Sequence, residues 1–168
     1  MKESIFCTNV VSKKIALING ILEIRPFAER YKGYLKAISE IGQEDLSISH
    51  DYYNMDFFKT GYNKSKELYD NYENIDGILT GNDLQAMGVL RSLKDMGFEI
   101  PNDVKILSLT GHSIGDLLET KITSMEMPLD LIANKSVELL INKINSKSDY
   151  SQVEHITFNT FLSVRETT

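Results

Sequence analysis

Asp76-Gly77-Ile78-Leu79-Thr80-Gly81-Asn82-Asp83-Leu84-Gln85-Ala86-Met87-Gly88-Val89-Leu90-Arg91-Ser92-Leu93-Lys94-Asp95-Met96-Gly97 decides the fold. With Ile75 before it, the stretch opens on a short apolar run of strand length, continuous rather than alternating, as in a strand covered on both faces. Gly81-Asn82-Asp83 turns the chain. Leu84, Met87, Leu90 and Leu93 then recur at helical spacing, and Gly97 stands where a helix stops. Working outward, Pro101-Asn102-Asp103 predicts a turn into a strand at Val104-Lys105-Ile106-Leu107-Ser108-Leu109. Upstream, Lys14-Ile15-Ala16-Leu17-Ile18-Asn19 is another buried-strand run ended by Gly20. After a loop holding Pro26, Phe27, Tyr31, Tyr34, Leu35, Ile38 and Ile41 mark a helix face that Gly42 closes.

The remaining segments fit the same alternation. Leu46 to Ser49 predicts a short strand, and Asp56 caps a helix carrying Phe58, Tyr62, Leu68 and Tyr69. Ile122 to Glu126 reads as a further candidate strand. A long helix from Leu129 through Ile132, Ala133, Ser136, Val137, Leu140 and Ile144 opens after Pro128. Ser146-Lys147-Ser148-Asp149 is a polar linker, and Val153 to Arg165 is extended. Strand, helix, strand, helix in this order predicts an α/β fold with a mainly parallel sheet flanked by helices. Ligands of such sheets bind beyond the carboxyl ends of the strands, which singles out Gly20 to Arg30, Thr80 to Leu84 and Thr110 to Asp116.

Composition narrows the chemistry. The 168 residues are 42% apolar and 25% charged, ordinary values for one domain that needs no staple. The single cysteine, Cys7, excludes an intrachain disulfide and reads as an inert thiol. His50, His112 and His155 lack metal-ligand spacing, so no metal site is expected. Eighteen Lys plus Arg against 24 Asp plus Glu leave a net charge of −6, a surface that repels phosphate backbones and argues against direct nucleic-acid contact. No apolar run is long enough for a signal peptide or a membrane span, which makes cytoplasm the expected location. Gly20 to Pro26 has no phosphate-loop pattern, and no cofactor is expected.

The three loops hold the residues of interest, each with a plainer alternative. Asn82 and Asp83 can hold vicinal hydroxyls, because an amide supplies donor and acceptor together; equally, both are preferred helix caps. Arg30, one turn into its helix, either reaches over the strand ends with a planar fork of donors or lies solvated on a surface. Tyr31 and Tyr34 fall on the core face and read as packing. Gly111-His112-Ser113-Ile114-Gly115 matches the nucleophile-elbow pattern, with Asp149 and His155 following in the order a serine hydrolase requires. Only 55 residues follow Ser113, and no glycine-rich oxyanion loop is present. A ligand-facing glycine loop is the competing reading.

Taken in order, the motifs resemble the effector-binding core of the LacI/GalR transcriptional repressors. Asp76 to Gly97 is similar to that family's strand, Asn-Asp turn and helix, and Ile100-Pro101-Asn102-Asp103-Val104 to its "I-P-x-D-V". Lys13-Lys14-Ile15-Ala16-Leu17-Ile18-Asn19-Gly20 and Glu29-Arg30-Tyr31-Lys32-Gly33-Tyr34 resemble "K-K-I-A-x-I-x-G" and "x-R-x-x-G-Y". Ile122-Thr123-Ser124-Met125-Glu126-Met127-Pro128 and Ser163-Val164-Arg165-Glu166 resemble "L-T-T-V-x-Q-P" and "V-x-R-E-S".

The resemblance implies a periplasmic-binding-protein-like lobe that binds a small effector, a sugar first, through Arg30, Asn82 and Asp83, with no enzymatic chemistry. Thr110 occupies the place of the family's ligand-binding Asp, and Met127 the place of a common Gln. There is no Trp to stack on a sugar; Tyr52, Tyr53 and Phe57 can substitute. By the same resemblance residues 1–168 correspond mainly to the second of two lobes, with the 129–145 helix matching an element that crosses to the first. A homodimer is implied, with the Leu84 to Met96 helix as a contact face. Operator DNA belongs to an N-terminal headpiece with no counterpart here. The competing classes are a small serine hydrolase using Ser113 and an extracytoplasmic sugar-binding protein, which needs an export signal.

Overall fold

The structure, a computed structural model, describes residues 13–49, 56–111, 113–145 and 154–168. Six strands form one sheet: β1 (Ile15–Asn19), β2 (Ser47–Ser49), β3 (Gly77–Thr80), β4 (Lys105–Gly111), β5 (Thr123–Glu126) and β6 (Phe161–Ser163). Their spatial order is β2-β1-β3-β4-β5-β6, with every neighbouring pair parallel except β5–β6. Four α-helices join them among the described residues: α1 (Arg25–Glu40), α2 (Phe57–Asn71), α3 (Asp83–Asp95) and α4 (Leu129–Asn145). The expected α/β fold with a mainly parallel sheet is what the chain adopts.

Strand alternation distributes the core over both faces. Ile15 and Leu17 of β1 point to one face, where Tyr34 and Ile38 of α1 cover them with Leu79 and Leu107. Ala16 and Ile18 point to the other, against Leu68 of α2 and Ala86, Val89 and Leu93 of α3. Each fully buried Leu or Ile contributes about 1.5–3 kcal/mol, which is why central strands read as unbroken apolar runs. Tyr34 is packing, as its helical position implied: its hydroxyl donates to the Ile15 carbonyl at 3.0 Å and accepts from Leu46 N at 3.1 Å.

Several boundaries differ from expectation for physical reasons. Pro26 lies in the first turn of α1 rather than in the preceding loop, where its missing N–H costs no helical bond. Asp56 caps α2 as expected, accepting from Lys59 N at 3.0 Å, yet that helix buries Thr60, Gly61, Ser65 and Leu68 and leaves Phe58 exposed. Leu84 of α3 is likewise exposed, while Gln85 and Ser92 are buried. The two helices meet through glycine. A Cβ on Gly61 would stand under 3.0 Å from the Gln85 carbonyl, and one on Gly88 under 3.0 Å from that of Phe58, so backbone meets backbone where large apolar residues were expected. Leu46 is a core residue just before β2, and the extended stretch after Val153 contains strand only at β6. The readings placed on Cys7, His50, Tyr52, Tyr53, His112 and the 146–149 linker lie outside the described residues.

Candidate functional site

The strand order reverses direction at β1: β2 lies on one side of it and β3 on the other. In parallel sheets that reversal opens a crevice beyond the carboxyl ends of the two strands. Here β1 ends at Asn19-Gly20 and β3 at Thr80-Gly81, and the ring of Phe27 from α1 lies against both glycines. A Cβ on Gly20 would fall under 3.0 Å from the ring, and one on Gly81 would sit 3.1 Å from it. Two glycines at these turns let an aromatic ring settle directly on the strand ends.

Arg30 lies one turn further along α1. Its guanidinium carbon is 5.2 Å from the centre of the Phe27 ring, within cation–π range. Its Nη2 donates to the Thr110 hydroxyl at the end of β4. The β4–β5 register shifts between Ser108 and Gly111, and the Ser108 hydroxyl donates to the Thr110 carbonyl at 3.1 Å within that irregularity. Bulges of this kind re-aim side chains beside functional clefts, and this one holds Thr110 at Arg30. Burial alone pushes the arginine pKa down from its ordinary value, and the group stays charged.

The packing beneath the crevice is polar. Asn19 and Gln85 are both 0% exposed. Asn19 Nδ2 donates to the Phe27 carbonyl at 2.9 Å, and Gln85 Nε2 donates to the Asn19 carbonyl at 3.2 Å. Their amide oxygens, Asn19 Oδ1 and Gln85 Oε1, have no hydrogen-bond partner and flank Gly81, lying 3.4 and 2.9 Å from where its Cβ would be.

Of the residues expected at the site, Arg30 and Thr110 are brought into contact. Asn82 caps α3: its side-chain oxygen accepts from Gln85 N at 3.0 Å, so the plainer reading of this residue holds, while Nδ2 is not used by the cap. Asp83 opens α3 and is 4% exposed, beneath the surface rather than in the crevice. Phe27, Asn19 and Gln85 were not singled out. The signal for two of them was present, since a lone amide inside an apolar strand or on a buried helix face must find a polar partner.

A second arginine-centred feature was legible only as a closing motif. Arg165, 13% exposed in its side chain, donates to the Ile122 carbonyl at 2.8 Å and the Ser124 hydroxyl at 2.9 Å. It also pairs with Glu126 and lies 3.6 Å from Asp116. This ties the C-terminal segment to β5 and to the loop after Gly111.

The other expectations fare as follows. Ser113 begins a one-turn 3-10 helix (Ser113–Asp116) rather than the long helix a nucleophile elbow requires, and His155 is exposed in an irregular stretch. The side chain of Ser113, and Asp149, lie outside the described residues. Most of α3 is buried within the chain, against α2 and the sheet, leaving Leu84 and Arg91 among its exposed residues. Among the described residues no His, Cys, Asp and Glu cluster could hold a metal ion, and no helix is long and apolar enough to cross a membrane.

Comparison with known proteins adds ancestry. Residues 13–168 match the family described as periplasmic binding protein-like domain. The ribose operon repressor of Halalkalibacterium halodurans is 30% identical over 155 residues, 92% of this chain and 45% of that protein. The lactose operon repressor of Rhizobium radiobacter is 30% identical over 102 residues, 61% of this chain and 88% of that protein. A solved periplasmic binding protein/LacI transcriptional regulator from Alkaliphilus metalliredigens, complexed with D-xylulofuranose, is 29% identical. It superposes with a TM-score of 0.80 over 99% of this chain and 61% of that one. The chain spans about half the length of several curated relatives it matches.

Proposed function

We infer the function from one premise: the chain belongs to the periplasmic binding protein-like domain family, and its relatives are LacI-type transcriptional repressors. On that premise it is the effector-sensing part of a transcriptional regulator. A small hydroxylated molecule, of the sugar class named in several relatives, binds at the crevice beyond β1, β3 and β4. Arg30, Asn82 and Thr110 face it, and Asp83 supports the turn that presents Asn82.

The observation that carries this reading is the Arg30–Thr110 contact at the strand-order reversal. A half-buried guanidinium spends one donor on a hydroxyl and has four N–H groups for a ligand. In the whole regulator this chain supplies mainly the second lobe. The ligand is held between two lobes, α4 crosses toward the first, and closure favours one arrangement of a dimer whose separate headpieces hold operator DNA in the cytoplasm. No covalent chemistry enters.

The test is a thermal-shift screen of sugars and sugar derivatives, D-ribose, cellobiose and D-xylulose among them, against the full product of the reading frame. At least one compound is expected to raise the melting temperature with saturable dose dependence, and Arg30→Ala is expected to remove that shift while leaving the unliganded melting temperature near wild type. A shift that survives Arg30→Ala would place the ligand elsewhere. Absence of any shift across the screen would overturn the sensor reading.

A further inference from the structure

We propose that Arg165 is a positioning residue of the crevice: through Ser124 and Glu126 of β5 it holds the β4 bulge, and with it the contact between Thr110 and Arg30. The proposal rests on the effector-site reading for the part Thr110 plays, and it concerns a residue one step behind that contact.

The strand register creates the need for such a residue. Ser108 of β4 pairs with Ser124 and Gly111 pairs with Glu126, so β4 carries one residue more than β5 over this stretch. Thr110 falls inside the bulge, where the ladder is disrupted and does not fix it. What lies under the bulge then decides where Thr110 is held. Gly111 is seated on β5: a Cβ there would stand under 3.0 Å from the Ser124 hydroxyl and 3.3 Å from Glu126 Cγ. Ser124 is fully buried, and the Glu126 side chain is 18% exposed.

Both supports are held by one guanidinium. Nη1 of Arg165 donates to the Ser124 hydroxyl at 2.9 Å and to the Ile122 carbonyl at 2.8 Å, and Nη2 pairs with the Glu126 carboxylate. The Ser124 hydroxyl in turn donates to that carboxylate at 3.3 Å, which closes the network. Nε faces Asp116 at 3.6 Å, so the same side chain also reaches the 3-10 turn that follows the bulge. A planar fork makes these contacts together, whereas a lysine ammonium keeps the charge without the fork. Among the described residues Glu126 pairs with no other cation, so loss of the fork leaves a largely buried carboxylate uncompensated beneath Gly111.

Fastening the C-terminal segment does not require this side chain. Arg165 N donates to the Thr123 hydroxyl at 2.8 Å, and Glu166 N donates to the Lys121 carbonyl at 3.0 Å. The Glu166 carboxylate accepts from Lys121 N at 2.7 Å. The Thr167 hydroxyl donates to the Ile106 carbonyl at 2.7 Å and accepts from Thr123 N at 2.9 Å. None of these bonds uses the guanidinium, which is directed at the supports of the bulge instead.

The experiment is nitrogen-15 and methyl NMR of the full product of the reading frame without ligand, read at the Arg30 guanidinium protons and the Thr110 methyl group. Arg165→Lys is expected to shift the Thr110 methyl resonance and to speed exchange of the Arg30 guanidinium protons with water by about tenfold or more, because the bond between them is no longer held. Glu126→Ala removes one support with Arg165 in place and should do the same. Thr167→Val is the control. It loosens the same C-terminal segment through bonds outside the network, and should lower the urea midpoint with both signals at their wild-type values. Undisturbed Arg30 and Thr110 signals in Arg165→Lys and Glu126→Ala would overturn the assignment. An equal disturbance by Thr167→Val would overturn it too, because Arg165 would then be one tether among several. Where Arg165→Lys does not fold, Glu126→Ala against Thr167→Val decides alone. No ligand enters these spectra, so the assignment can fall while the effector reading stands, and an effector screen without a hit leaves the assignment in force.

Discussion

Asn82 has one role that the structure shows and one that is proposed, and single substitutions separate them. Its side-chain oxygen caps α3 through Gln85 N at 3.0 Å, which satisfies one of the orphan donors of the first turn. Replacing it with Ala removes the cap, and the chain should lose about 1 kcal/mol in chemical denaturation. Asn82→Asp keeps an acceptor of equal capping quality and should hold stability near wild type, yet it deletes the amide donors and sets a negative charge at the crevice. Ligand affinity should therefore fall in Asn82→Asp while the denaturation midpoint stays put. If affinity tracks stability through both variants, Asn82 is a cap and nothing more. The sequence left these readings open because capping and ligation ask for the same residue types at the same helix end. Only the position of the partner atom distinguishes them. The amide oxygens of Asn19 and Gln85 were invisible for a related reason: burial of a polar group can be guessed from pattern, but whether its second lone pair is met depends on neighbours distant in sequence, here Phe27 and Gly81.

At the scale of elements, strands were the most legible part of the chain. β1, β3 and β4 each bury both faces, and continuous apolar runs leave little else for those segments to be. Helix faces were less legible, because the α2–α3 pair packs through glycine. Apolar spacing grouped Phe58 and Leu84 with residues that are buried, yet both are exposed, and the helices meet instead through close backbone approach at Gly61 and Gly88. This contact is testable by adding one carbon. Gly61→Ala or Gly88→Ala places a methyl under 3.0 Å from a backbone carbonyl oxygen that no rotamer change can move. Each should cost about 1–3 kcal/mol or more, read as a lower urea midpoint with an unchanged slope. Gly97→Ala is the control: nothing lies within 4 Å of its Cβ position, and its φ of +88° limits the penalty to backbone strain of about 1–2 kcal/mol. Equal or smaller losses at Gly61 and Gly88 would mean that the helices separate without penalty. The bulge at Ser108–Gly111 belongs to this scale too. It was not readable from composition, yet it aims Thr110 at Arg30, and a Cβ on Gly111 would fall under 3.0 Å from the Ser124 hydroxyl beneath it.

For the whole molecule, the informative element is the one that packs least. None of α4 is buried; Val137, Leu140, Ile141 and Ile144 form an exposed stripe at helical spacing, with Ile144 70% exposed. β6 and the residue after it add Phe161, Leu162 and Val164 to the exposed apolar surface. Solitary apolar residues on a surface need no explanation, but a continuous stripe along a 17-residue helix does. Periodicity found the helix and its apolar face correctly. What it could not supply was the partner, because the sheet of this chain is already covered on one side by α1 and on the other by α2 and α3. The proposed two-lobed arrangement supplies one: α4 packs on the first lobe. Leu140→Glu combined with Ile144→Glu separates the possibilities. In the 168-residue chain alone both side chains are already in solvent, and the pair should shift stability by less than about 0.5 kcal/mol while reducing self-association. In a protein carrying the first lobe the same pair should cost several kcal/mol, because two charges would enter an apolar interface. Neutrality in both backgrounds would mean that α4 is a solvated helix and that the lobes, if joined, meet elsewhere. The contrast between backgrounds is the deciding quantity. Helix propensity changes identically in the two and cancels, leaving only what α4 touches.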